Sequence, residues 1–128
     1  MWIKANPNPY RTEEPDCVVR AIAIALDDTW ESVHWDLCML SHYEHTMPST
    51  NWLWEKYLFR NGFEKFLLPE TCPQCTTVKD FARMYPEGTY VLATGDHAVA
   101  VIGGNWYDAW DSGSTVPIAF YRKKRRSQ

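Results

Sequence analysis

The hydrophobic and polar positions change period several times along the chain. Residues 18 to 26 form an Ala-rich apolar run broken only by Arg20, which predicts a buried helix over residues 17 to 27. Pro15 and Asp16 mark its start. Trp30, Val33, Leu37 and Leu40 follow helical spacing and predict a second helix, capped by Asp28 or Thr29 and running to about His42. His34 and Trp35 fall on its solvated or half-buried face. A third helix is predicted from Asn51 to Asn61, capped by Ser49 or Thr50 and stopped by Gly62. Its Trp52, Trp54, Tyr57, Leu58 and Phe59 exceed one apolar stripe, so it should be buried on two sides. A short helix, Val78 to Tyr85, follows a cap at Thr77. Strands are predicted at Phe63 to Leu68, Tyr90 to Thr94 and Pro117 to Tyr121. Residues 1 to 16 read as an extended lead-in.

The clearest β signal is a hairpin between Gly95 and Gly113. Ala98 to Ile102 is small and β-branched, Trp106 to Trp110 is aromatic-rich, and Gly103-Gly104-Asn105 joins them. His97 stands at the entrance and aspartates stand near the exit. A three-residue loop puts His97 opposite Asp111, with facing Cβ atoms roughly 5 Å apart. A two-residue loop at Gly103-Gly104 pairs His97 with Trp110 and sets Asp108 diagonal to it on the same face. Asp111 is the first choice as partner of His97, and Asp108 the alternative.

A histidine oriented by a carboxylate suits a general base, and Cys17 is the candidate group for it to deprotonate. In the first turn of its helix, the dipole and unpaired N–H groups favour thiolate over thiol. Nucleophile, base and orienter would then be Cys17, His97 and Asp111 or Asp108.

The order Cys, His, Asp, with Asp16-Cys17 at a helix start and a His97-apolar strand before Asp111-Ser-Gly113, resembles the papain-like cysteine peptidase superfamily. It is similar to the smaller members, the bacteriocin-processing peptidases and ubiquitin-like-protein proteases, and to small proteins of bacteriophages. The resemblance covers the core elements, about half the chain. It implies an α+β, papain-like fold, with N-terminal helices packed against a small antiparallel β-sheet. It implies cleavage of a peptide or isopeptide bond, without a required cofactor. No glutamine precedes Cys17, so Asn6, Asn8 and Arg11 are the candidate oxyanion donors. The alternative is an inert papain-like scaffold that binds or inhibits a host protein.

A length of 128 residues predicts one domain, residues 1 to 121, with a basic tail over residues 122 to 128. A net charge of -3 argues against nucleic-acid binding by bulk charge, which leaves only the Arg122-to-Arg126 basic run as a contact for it. No signal-peptide pattern and no membrane-length apolar run is present, so a cytoplasmic protein is expected, in the host cytoplasm if phage-encoded. In a reducing compartment the four cysteines should be thiols or metal ligands rather than disulfides. Cys72-x-x-Cys75 is half a zinc site. Cys38 and His42, one helical turn apart, could complete a structural zinc site, with His45 as a spare ligand. A redox role for the CxxC lacks a thioredoxin-like βαβ context.

Overall fold

The structure is a computed structural model, and it describes residues 1 to 10, 15 to 69 and 75 to 124. The Ala-rich run becomes α1, Cys17–Leu26, and ends at Asp27 in the left-handed conformation. Helix α2 is Trp30–Glu44. Its start is fixed by Thr29, whose hydroxyl accepts from the Ser32 N–H at 3.1 Å. Helix α3 is Asn51–Arg60 and α4 is Val78–Met84. A capping box begins α4: Thr77 and Asp80 each accept the other's backbone N–H at 3.1 Å.

The strands are β1 Trp2–Lys4, β2 Phe63–Leu67, β3 Thr89–Ala93, β4 Ala98–Ile102, β5 Asn105–Asp108 and β6 Ala119–Lys123. They form one sheet in the order β1-β5-β4-β3-β6-β2. Side-chain alternation divides the core between its two faces. Val91, Ala98, Ala100 and Tyr121 pack with α1, α2 and α3. Tyr90, Leu92, Val99, Val101, Trp106 and Phe120 pack with Val78, Phe81 and Ala82 of α4. Small residues at 98 and 100 let α1 lie close over the centre of the sheet, which brings its first turn to the start of β4.

The α+β class is therefore as expected, but the sheet is mixed. The lead-in supplies a strand that the sequence pattern does not reveal. Strand β1 runs parallel to β5, pairing Trp2 with Trp106, Ile3 with Tyr107 and Lys4 with Asp108. Three residues are too few to carry a readable alternation. The parallel pairing depends on a partner more than 100 positions away.

The hairpin loop has two residues. Ile102 pairs with Asn105, and Gly103 and Gly104 both hold positive φ, 59° and 80°. That combination fits a type I′ turn, whose twist matches the flanking strands. The three-residue loop favoured by the sequence reading is not formed. Among the described residues, no helix is long and apolar enough to cross a membrane.

Candidate active site

The two-residue turn decides which aspartate meets His97. Continued past the paired residues, its register sets His97 across from Trp110, and the two rings lie 5.0 Å apart. His97 Nε2 lies 2.6 Å from Asp108 Oδ2, the diagonal position. Asp108 is thus the partner, and Asp111 is not. The Asp111 carboxylate instead accepts from Trp106 Nε1 at 2.9 Å and from the Gly113 N–H at 3.0 Å, closing the turn beyond β5. The Trp106 indole and the Gly113 backbone hold the Asp111 carboxyl below its usual range.

Asp108 is 6% exposed, so every acceptor site on it has to be accounted for. Oδ2 also accepts from the Ser112 hydroxyl at 2.7 Å, and Oδ1 accepts from the Ala109 N–H at 2.8 Å. Ser112 is itself fully buried. Strand β1 ties down the backbone at the same point: the Ala5 N–H and Trp2 Nε1 both donate to the Asp108 carbonyl, at 2.9 and 3.2 Å. The carboxylate facing His97 is therefore fixed by its own side-chain bonds and by the strand beside it.

On its other side, His97 meets Cys17 at the first position of α1. Burial pushes the Cys17 thiol up, but His97 and the backbone at Ala98 and Val18 outweigh it and bring the thiol below its ordinary value. Burial pushes the His97 imidazole down. Hydrogen bonding to Asp108 and Cys17 reverses this and raises its pKa to about 9. Both shifts favour a thiolate beside an imidazolium. With Nε2 held by Asp108, Nδ1 is the nitrogen that remains for the Cys17 proton.

Asp16 secures the opposite flank of Cys17. The sequence marks it as a helix start, yet its side chain makes no capping bond. Its carboxylate instead accepts from Asn8 Nδ2 at 2.9 Å and Trp30 Nε1 at 2.8 Å, and pairs with Arg20 one turn along α1. Burial works against the Asp16 charge, and these three donors more than compensate, holding its carboxyl low. The lead-in, α1 and α2 are joined at the residue before Cys17.

Of the three candidate oxyanion donors, Asn8 is buried and lines the cleft beside Cys17. Asn6 accepts the Asn8 N–H at 3.0 Å, as a turn residue. Arg11 lies outside the described residues. The structure thus gathers Cys17, His97 and Asp108, with Asn8 adjacent, and leaves Asp111 in a turn.

Two depressions meet at Cys17. A cleft of about 620 Å³ is lined by Asn8, Tyr10, Asp16, Val18, Trp30 and His34 among others. A smaller pocket of about 180 Å³ is lined by both Cys17 and His97, with Glu55, Lys65 and Tyr121 also in its wall. His34, expected on a solvated or half-buried face and not as part of a site, is exposed, stacks on Trp30 with centroids 4.6 Å apart and forms a cleft wall. Ser112, Asp16 and His34 are the contributors that sequence reasoning did not assign. The Asp16-to-Arg20 spacing of four was the one available signal, and it suits an ion pair along a helix.

The described residues do not assemble the expected zinc site. Cys72 lies outside them, and Cys75 is disulfide-bonded rather than a thiol. Cys38 turns toward His34 instead of His42, with Sγ 3.5 Å from His34 Nε2. A residue at i−4 is as near on a helix as one at i+4, and the Trp30 stack holds the His34 ring in place. His42 and His45 are exposed, the latter as the left-handed cap of α2. Among the described residues no three His, Cys, Asp or Glu side chains converge as metal ligands.

Compared with protein-family models, with curated proteins and with solved structures, the chain gives no match.

Proposed function

We propose that the protein is a papain-like thiol hydrolase that cleaves a peptide or isopeptide bond by acyl transfer through Cys17. The observation that carries this reading is the His97 imidazole held between the Asp108 carboxylate at 2.6 Å and the Cys17 sulfur. Cys17 attacks the carbonyl carbon as thiolate, forming a C–S bond as the carbonyl electrons move to oxygen. The Cys17 N–H at the start of α1 and Asn8 Nδ2 are the donors for that oxyanion. One such donor contributes roughly 3–4 kcal/mol to lowering a barrier of this kind. His97 gives its proton to the leaving amine as the C–N bond breaks. Water, deprotonated by His97, then releases the acyl group from sulfur and restores the free enzyme. Asp108 holds the ring tautomer and stabilises the imidazolium throughout.

The rival reading, an inert scaffold that binds a host protein, draws on one observation. Helix α2 exposes Trp35, Met39 and Tyr43 along a single face. The two readings separate on Cys17 alkylation by iodoacetamide as a function of pH, followed by peptide mass mapping. Acyl-transfer chemistry requires fast alkylation well below the free-thiol midpoint of about 8.5, lost on His97→Ala. A Cys17 that reacts no faster than Cys38 at every pH removes the enzyme reading.

A further inference from the structure

The two depressions flanking Cys17 differ in size, in wall chemistry and in their relation to His97. The large cleft is lined by Cys17 but not by His97. Its wall is mostly apolar and aromatic: Tyr10, Pro15, Val18, Pro48 and the stacked pair Trp30 and His34. The small pocket is lined by both Cys17 and His97. Its walls include small residues, Ala93, Gly95, Ala98 and Ala119, together with Trp54, Ile118 and Tyr121.

Acyl transfer gives these two sides different roles, because the leaving amine has to lie within reach of the proton on His97. The leaving group therefore belongs on the side that His97 lines, and the acyl side chain belongs in the cleft that it does not line. From this we infer that the substrate carries a large aromatic or aliphatic side chain on the acyl side of the scissile bond. The inference rests on Cys17 acting as nucleophile and extends that reading to the substrate class.

Charge favours the same side chain. Among the described cleft residues the carboxylates are Asp16 and Asp96. Asp16 is already matched by Arg20, Asn8 and Trp30, and Asp96 adds negative charge at the rim. An acyl-side carboxylate would enter without a described cation to meet it. An aromatic ring would instead lie against the Trp30 and His34 stack, where ring pairing adds to burial.

The test uses three N-acylated amino-acid chloromethyl ketones, with Phe, Gly and Asp side chains, on the full chain. Cys17 modification is read by peptide mass mapping, and each rate is divided by the iodoacetamide rate of the same variant. The Phe reagent should modify Cys17 at least about tenfold faster than the Gly reagent, the ratio expected from burying one ring. The Asp reagent should be slowest. Ser49→Trp, which fills the cleft from an exposed rim position, should erase the Phe advantage. His34→Ala, which removes one stacked wall, should reduce it. Equal Phe and Gly rates, a faster Asp reagent, or a Phe advantage surviving both substitutions would overturn the inference while rapid iodoacetamide labelling upheld the nucleophile. If iodoacetamide labelling is itself slow at low pH, the nucleophile reading fails and the substrate assignment falls with it.

Discussion

His97 Nε2 and Asp108 Oδ2 stand 2.6 Å apart across the β4–β5 hairpin, joined through a turn of two glycines. That turn length selects Asp108 and sends Asp111 to the loop beyond. Asp108→Asn should therefore abolish the low-pH alkylation of Cys17. Asp111→Ala should leave the alkylation profile in place and lower the melting temperature, through the lost bonds from Trp106 and Gly113. Iodoacetamide rates and thermal melts on the two variants measure both effects.

The His97 shift makes stability depend on pH with a defined sign. Its pKa is raised from the ordinary 6.5 to about 9, so the protonated ring stabilises the folded state. That contribution is complete below 6.5 and is lost as pH rises through about 9. Denaturation of wild type and His97→Gln should give a stability gap that is widest in mild acid and closes above pH 9.

Ser112 shares Asp108 Oδ2 with His97, and so competes for the same charge. Removing its hydroxyl in Ser112→Ala leaves more of that charge to the imidazolium. The His97 pKa should rise further, and Cys17 alkylation should extend to lower pH. The lost buried bond should cost roughly 1 kcal/mol. The pH midpoint of alkylation and a urea titration read the two consequences separately.

Asp16 and Arg20 form a nearly buried pair, each side chain 10% exposed, and the same carboxylate accepts from Asn8 and Trp30, so removing it withdraws one acceptor from three donors at once. Asp16→Ala should cost about 3–5 kcal/mol, while Arg20→Met with Asp16→Asn should cost much less. Urea denaturation of the two variants measures the difference. Asp16→Ala also removes the acceptor of Asn8 Nδ2 beside Cys17.

Gly113 sits against the Trp106 indole, where a Cβ would come within 2.7 Å of Cζ2. Gly113→Ala should therefore displace Trp106 from the core on the α4 face and lower the melting temperature, with a visible change in tryptophan fluorescence.

Much of this arrangement could be read from the chain. Helix α1 follows from its apolar run, broken only by Arg20, and α4 from the Thr77 cap. Strand β4 has the bounds its pattern predicts, Ala98–Ile102. What could not be read depends on partners distant in sequence or on one degree of local freedom. Strand β1 exists because β5 receives it, and nothing in Trp2–Lys4 announces that. The choice of Asp108 over Asp111 turned on whether Asn105 joined the loop or the strand, and pairing with Ile102 put it in the strand. Asp16 looked like a cap, but three donors from separate segments drew its carboxylate away. The CxxC invited a metal reading, and its described cysteine is in a disulfide.

The charge state of His97 at neutral pH tests the central claim most directly. Nitrogen-15 NMR of the labelled imidazole reads it without any substrate, in wild type and in Cys17→Ser. The account predicts an imidazolium in the wild type, titrating near 9, with a lower midpoint once the thiolate is removed. A neutral His97 ring at neutral pH, unchanged by Cys17→Ser, would contradict it.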